Sequence, residues 1–260
     1  MRRAIAGLAL LLLAAGAGGG PAGAQPFTRG RMLEPGEAGA YRAVGRLNLG
    51  GAGFCTATLV SPREAVTAAH CLFEARTGAP RRLSGLRFVA GFDRGRYAAL
   101  RGIVGAAVTP GFRFDGTAPD RTLADDLALL LLDAPVAAED AVPLAFGGPR
   151  TEADGLLAIV AYARNRSQAP SRLGPCRSIP WQPRLIALDC RVDFGASGAP
   201  VLAGPETGPL RLVAVVSALG EAQGGLHATT LAVEADPARL EALRRIAAQA
   251  IWPVSGPAPD

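Results

Sequence analysis

A serine flanked by glycines, a histidine beside a cysteine and an aspartate at the mouth of an apolar run carry the chemistry available to this chain. Ser197 sits in "FGASGAP", between Gly195 and Gly198. Ser-Gly pairs are ordinary turn chemistry, so the loop alone does not make Ser197 a nucleophile. A nucleophile also needs a base within hydrogen-bond reach and a third group that orients the base. His70, in "TAAHC", is one of two histidines and can be that base. Cys71 adjoins it, and Cys55 lies sixteen residues earlier in "FCTATLVSPREAVTAAHC". A bridge between the two would tie adjacent strands and hold the His70 backbone still. The acid is offered by "ADDLALLLL". Asp126 adjoins the apolar run directly, where a carboxylate is costly unless something satisfies it. Accepting from an imidazole N–H would satisfy it, fix the tautomer and stabilise the imidazolium. Asp125 is read as a solvated turn carboxylate.

These residues need a frame, and the sequence predicts a β one. Short apolar runs alternate with turns: "YRAVGRLNL", "FCTATLVS", "EAVTAAHC", "LRFVAGF", "RGIVGAAVTP", then "GLLAIVAYAR", "SIPWQPRLIALDC", "APVLAG" and "LRLVAVVSALG". Turn signals this frequent, with few helical periods, argue an all-β sandwich or barrel. Leu127 to Leu132 is apolar throughout, and "DAP" ends it too soon for a long helix, so it is read as a buried strand. One helix stands out near the end. Asp236 can cap it, Pro237 suits its first turn, and Leu240, Leu243, Ile246 and Ala247 share a face.

Composition bounds the rest. Of 260 residues, 49% are apolar, enough for a substantial core. The formal charge is +5, and all 27 basic residues are arginine; they form no dense cluster with aromatics, which excludes nucleic acid as a partner. The chain opens with Arg2 and Arg3, an apolar run from Ala4 to about Ala17 and the small-x-small site Ala22-Gly23-Ala24. This is the layout of a signal peptide cleaved before Gln25, and the run falls short of the ~20 residues a membrane span needs. No stable membrane anchor is expected after cleavage. Four cysteines in an exported chain read as two disulfides, with three pairings open. No residue spacing suggests a metal site, and no cofactor is expected.

Taken in order, "CTATLVSPREAVTAAHC", "DDLALLLLDAPV", "FGASGAPVL" and "LVAVVSALG" resemble the chymotrypsin-like (trypsin-fold) serine proteases. The His, Asp, Ser order is that family's. The resemblance covers roughly Ala40 to Ala250. It divides the chain into a signal peptide (1–24), an N-terminal arm (25–39, read as extended), a protease domain (40–250) and a loose tail (251–260). It implies an all-β fold of two six-stranded antiparallel β-barrels with a C-terminal helix. It also implies the triad His70, Asp126 and Ser197, an oxyanion hole from the backbone N–H groups of Gly195 and Ser197, and the bridges Cys55–Cys71 and Cys176–Cys190. The fourteen-residue interval from Cys176 to Cys190, and the seven from there to Ser197, are more similar to secreted bacterial relatives of the glutamyl-endopeptidase type. The rival G-x-S-x-G elbow of α/β-hydrolases is excluded by Ala199 at its fifth position and by a histidine that precedes the serine.

The resulting expectation is an exported serine endopeptidase, secreted or periplasmic, acting on polypeptide substrates through an acyl-enzyme. The alternative is a catalytically silent protease-fold protein that binds peptides or a protein partner. Ser217, in "VVSALG", is the candidate for the strand beside the substrate; Arg191 and His227 are further candidates for the pocket, without a defined residue preference. In trypsin-like zymogens the residue before the nucleophile is an aspartate that pairs with a new amino terminus. Ala196 stands there in this chain, so activity is expected without that switch.

Overall fold

The computed structural model describes residues 30–114, 123–147, 157–204, 209–220, 229–249 and 252. The signal segment, His227 and the tail apart from Trp252 lie outside the described residues. The chain starts with β1 (Arg31–Met32) and a short helix, α1 (Pro35–Ala38). Six strands follow: β2 (Val44–Leu49), β3 (Phe54–Ser61), β4 (Glu64–Thr67), β5 (Leu86–Ala90), β6 (Ala99–Val108) and β7 (Ala128–Leu132). They pair antiparallel in the order β2-β3-β4-β7-β6-β5 and close into a barrel.

The second half holds β8 (Ala145–Phe146), β9 (Leu157–Ala163), β10 (Arg166–Cys176), β11 (Ser178–Gln182), β12 (Leu185–Leu188), β13 (Pro200–Ala203), β14 (Arg211–Gly220) and β15 (Thr229–Glu234). Six central strands run β10-β9-β13-β14-β15-β12, edged by β1, β11 and β8 in a nine-stranded sheet. Among the described residues no ladder joins β10 to β12. The Cys176–Cys190 disulfide spans that gap, with Cα atoms 5.4 Å apart. The helix α2 (Pro237–Gln249) follows β15, and the backbone N–H of Arg239 donates to its capping Asp236 at 2.9 Å.

The apolar run at β7 is continuous because both of its faces are covered, and a strand alternates its side chains between faces. Ala128, Leu130 and Leu132 point into the barrel with Leu47, Leu59 and Phe88. Leu127 and Leu129 point the other way, into a core that joins Val66 of β4 to Leu212, Val215 and Val233 of the sheet and to Leu240 and Leu243 of α2. The halves are thus fused by a third core lying between them. Arg244 of α2 reinforces it with two hydrogen bonds from Nε to the carboxylate of Glu64 in β4, at 2.9 and 3.1 Å.

Three features depart from the sequence reading. β10 and β15 are strands that it did not single out. β10 was hidden by Pro170 and Pro175; each falls where its pairing with β9 skips, between Arg166 and Ser171 and between Leu173 and Cys176. Prolines in sheets concentrate at such irregularities because they cannot donate to the ladder. The arm is not extended throughout. From Arg31 it pairs with β10, buries Leu33 beside Pro170, and turns into α1, where Pro35 opens the helix. The tail is not loose at Trp252. That ring is 7% exposed, stands edge-on to Phe73 with centroids 5.8 Å apart, and donates its Nε1–H to the Arg81 carbonyl at 3.1 Å.

Replacing Trp252 by alanine is therefore expected to destabilise the protein by about 3 kcal/mol, as for other buried aromatics. Denaturant unfolding checks it, and a change under 1 kcal/mol would return Trp252 to the loose tail.

Candidate active site

His70 rides on a tight helical turn, Ala69–Leu72, that follows β4 directly. Small buried residues, Ala68 and Ala69, let this turn pack into the barrel, and the Cys55–Cys71 disulfide fastens it to β3. Asp126 sits between another such turn, Leu123–Asp125, and the start of β7. It is 2% exposed. Its carboxylate accepts from the His70 backbone N–H at 2.8 Å and lies 2.7 Å from His70 Nδ1. Ser217 Oγ, from β14, donates to the same carboxylate. One acid thus gathers donors from the barrel and from the sheet.

A carboxylate on Nδ1 selects the tautomer with hydrogen there and leaves the Nε2 lone pair available. Burial opposes the imidazolium, but the charge and hydrogen bond of Asp126 outweigh it and raise the His70 pKa above its ordinary value. Burial likewise works against the Asp126 carboxylate, and His70 with Ser217 reverses the effect, so its pKa is lowered. Phe114 lies over the imidazole at 6.5 Å, within an aromatic group that includes Phe73 and Phe112.

Ser197 belongs to a loop between β12 and β13 that presses on the barrel. Gly198 has φ +83°, and a Cβ there would come within 2.1 Å of the Thr56 carbonyl and of Thr67 Oγ1. Gly195 has φ +95°, and its Cβ would strike the Phe54 ring at 2.4 Å. Both positions require glycine for the conformation and for the space. Ser197 and His70 share a neighbour: Cys71 Sγ is 3.8 Å from His70 Nε2 and 4.0 Å from the Ser197 carbonyl oxygen. Backbone N–H groups alternate in the loop. Those of Ala196 and Gly198 are bound, to the Asp193 and Val216 carbonyls. Among the described residues nothing accepts from Gly195 or Ser197.

Ala196 is 1% exposed and packs with Cys190, Val192, Ala199 and Val201. Ser217, the candidate for the strand beside the substrate, is in β14, and its hydroxyl turns to Asp126. Arg191 is exposed. Asp125 is not a merely solvated carboxylate: Arg184 Nη1 donates to it at 3.2 Å, and Arg239 approaches it at 3.7 Å. Sequence reasoning missed Thr56, Thr67 and Tyr162, which hold the loop. Thr56 was visible as a polar residue inside an apolar strand. Cys55, His70 and Cys71 bring donor atoms within 4.8 Å of one another, but the sulfurs are bonded to each other and offer no thiolate to a metal.

Comparisons with known proteins bear on the fold. The chain shares its fold with a Glu endopeptidase solved in complex with MPD (TM-score 0.66, 17% identity, covering 85% of this chain and 97% of that one). The thermostable serine protease AL20, from an extremophilic microorganism, aligns with a TM-score of 0.61 at 16% identity, covering 82% and 100% of the two chains. The protease Anisep from Arthrobacter nicotinovorans aligns at 0.60 and 18%, covering 80% and 96%. No curated protein sequence matches the chain. The trypsin family model matches residues 32–232, from β1 into β15. With most of its length under that match, on a closed barrel joined to a second sheet, the chain belongs to the trypsin family of serine-type peptidases.

Proposed function

We propose that the protein is an exported serine endopeptidase in which Ser197, His70 and Asp126 form the catalytic triad. The carrying observation is the buried Asp126 carboxylate, which orients His70 through both its backbone N–H and Nδ1, while Nε2 lies 3.8 Å from the Cys71 Sγ that also approaches the Ser197 carbonyl. His70 Nε2 takes the Oγ proton as Ser197 attacks the peptide carbonyl carbon. The oxyanion is received by the Gly195 and Ser197 N–H groups, in a site where fixed donors are worth most. The intermediate collapses as His70 returns the proton to the departing amine. Water then attacks the acyl-enzyme by the same route and frees the acid. Asp126 stays ionised throughout, stabilising the imidazolium.

Export is the second part of the proposal. Residues 1–24 have the signal layout, and the two disulfides suit an oxidising compartment. Among the described residues no helix is long and apolar enough to cross a membrane.

A fluorophosphonate probe on the mature chain should label wild type and leave Ser197→Ala unlabelled. Absence of labelling on folded wild type would favour a silent binding protein. Ser197→Ala and His70→Ala should each lower kcat/KM by roughly 10⁴-fold or more without unfolding the chain, and Asp126→Asn should be severe as well.

The pH profile has a defined sign. The base must be unprotonated, and Asp126 favours its protonated form. Activity should therefore fall with acid through a midpoint above the ordinary histidine value of about 6.5. In Asp126→Asn the residual activity should have a lower midpoint, because the raising charge is gone. A wild-type midpoint well below that ordinary value would contradict the assigned pairing.

Ala196 predicts independence from a buried amino terminus. Chains starting at Gln25, and chains with a few residues in front, should turn over alike. Ala196→Asp would place an unpaired carboxylate among Cys190, Val192 and Val201 and should destabilise on the order of 3 kcal/mol. Activity that arises only after trimming at Arg29 or Arg31, and is lost when the new amine is acetylated, would overturn this.

A further inference from the structure

Four successive carbonyls of the nucleophile loop are held. The Phe194 oxygen accepts from Arg164 N at 2.7 Å, the Ala196 oxygen from Ala199 N at 2.9 Å and the Ser197 oxygen from Thr56 N at 2.8 Å. The Gly195 oxygen accepts from Thr56 Oγ1 at 2.9 Å. The first two bonds fix the peptide planes that carry the Gly195 and Ser197 N–H groups. Between those planes lies the Gly195–Ala196 peptide, beside a glycine at φ +95°. Glycine turns easily between conformations, so this peptide is where the loop can lose its shape. Its N–H, that of Ala196, donates to the Asp193 carbonyl within the loop itself at 3.1 Å, and its carbonyl is held from outside the loop by a side chain.

That side chain is built for the purpose. Thr56 is fully buried. Its hydroxyl accepts from the Tyr162 backbone N–H in β9 at 3.1 Å, which directs its single proton to Gly195. Its carbonyl is in turn held by Thr67 Oγ1 at 2.8 Å. The disulfide at Cys55 fixes the residue before it. One hydroxyl therefore connects the barrel, the sheet and the loop. Nothing at Ala196 can act as an ionic anchor, since a methyl group fills that position.

We infer that Thr56 is a positioning residue whose hydroxyl keeps the Gly195–Ala196 peptide oriented so that the Gly195 and Ser197 N–H groups face a substrate oxyanion. It takes the place of an ion pair at position 196. The inference rests on the reading of Ser197 as nucleophile. Thr56 touches no reacting atom; it acts through the loop.

The test compares Thr56→Val, which keeps the shape and removes the hydroxyl, with Thr56→Ser, which keeps the hydroxyl. Thr56→Val should lower kcat roughly ten- to a hundredfold, the scale of a misplaced catalytic group, with KM little changed. Affinity for a peptide boronate, which needs the oxyanion site, should fall by a similar factor. Thr56→Ser should restore most of both losses. A Thr56→Val enzyme within twofold of wild type in kcat and boronate affinity overturns the inference, as does a Thr56→Ser enzyme as impaired as Thr56→Val. If Thr56→Val does not fold, Thr56→Ala carries the same comparison. Deuterium exchange of the amides between Asp193 and Ala199 gives a readout independent of turnover. Exchange should quicken in the variant without the hydroxyl and not in Thr56→Ser; equal rates overturn the inference. If wild type fails to label with fluorophosphonate, the peptidase reading falls, and the exchange comparison still decides the role of Thr56.

Discussion

A carboxylate at 2% exposure sets the terms for this molecule. Asp126 cannot stay ionised in an apolar interior without donors close at hand. The barrel supplies two of them through one residue, the backbone and the ring of His70, and the sheet supplies the third through Ser217. The charge is satisfied when the halves are docked in register. The apolar core between them, from Val66 and Leu129 to Val215 and Leu243, gives the docking its strength, and Asp126 gives it a unique alignment. Hydrophobic contact is non-directional; three hydrogen bonds to one carboxylate are not.

The C-terminal helix enters this arrangement as a brace. It leaves the sheet at Asp236, lays Leu240 and Leu243 over the joint, and reaches β4 of the barrel through Arg244 and Glu64. On its first turn, Arg239 donates to the Ala124 carbonyl at 2.8 Å, two residues before Asp126. The segment that presents the acid is thus supported from outside by the last element of the fold.

Much of this was legible in the sequence because the local pattern and the tertiary role coincide. Leu127–Leu132 read as a buried strand, and β7 (Ala128–Leu132) is one. Asp236 and Pro237 announced α2, and the helix starts there. His70, Asp126 and Ser197 stood out because each breaks its surroundings: a histidine beside a bridging cysteine, an acid against leucines, a serine between glycines. What was hidden depends on partners far along the chain. β10 is made a strand by β1 and β9 in spite of its prolines. Asp125 is given its cations by Arg184 and Arg239, 59 residues and more away. Thr56 looks like any β-branched residue in a strand until the Gly195 carbonyl, 139 residues later, meets its hydroxyl. A buried hydroxyl favours a hydrogen-bond partner, and topology decides which group that is.

Both disulfides lie within a half: Cys55–Cys71 in the barrel, across 16 residues, and Cys176–Cys190 in the sheet, across 14. Nothing covalent apart from the chain itself spans the joint. Domains assemble as units, N-terminal first as the chain emerges. The barrel, complete by Leu132, can fold while the sheet is still unmade. At that stage His70 and Asp126 exist without Ser217 to complete the carboxylate and without Ser197 to activate. Under the proposed chemistry, a chain that stops before Ser197 has no nucleophile to form the acyl-enzyme. The proposed site is completed only by the strands and loops of the sheet, which supply Ser217 and Ser197.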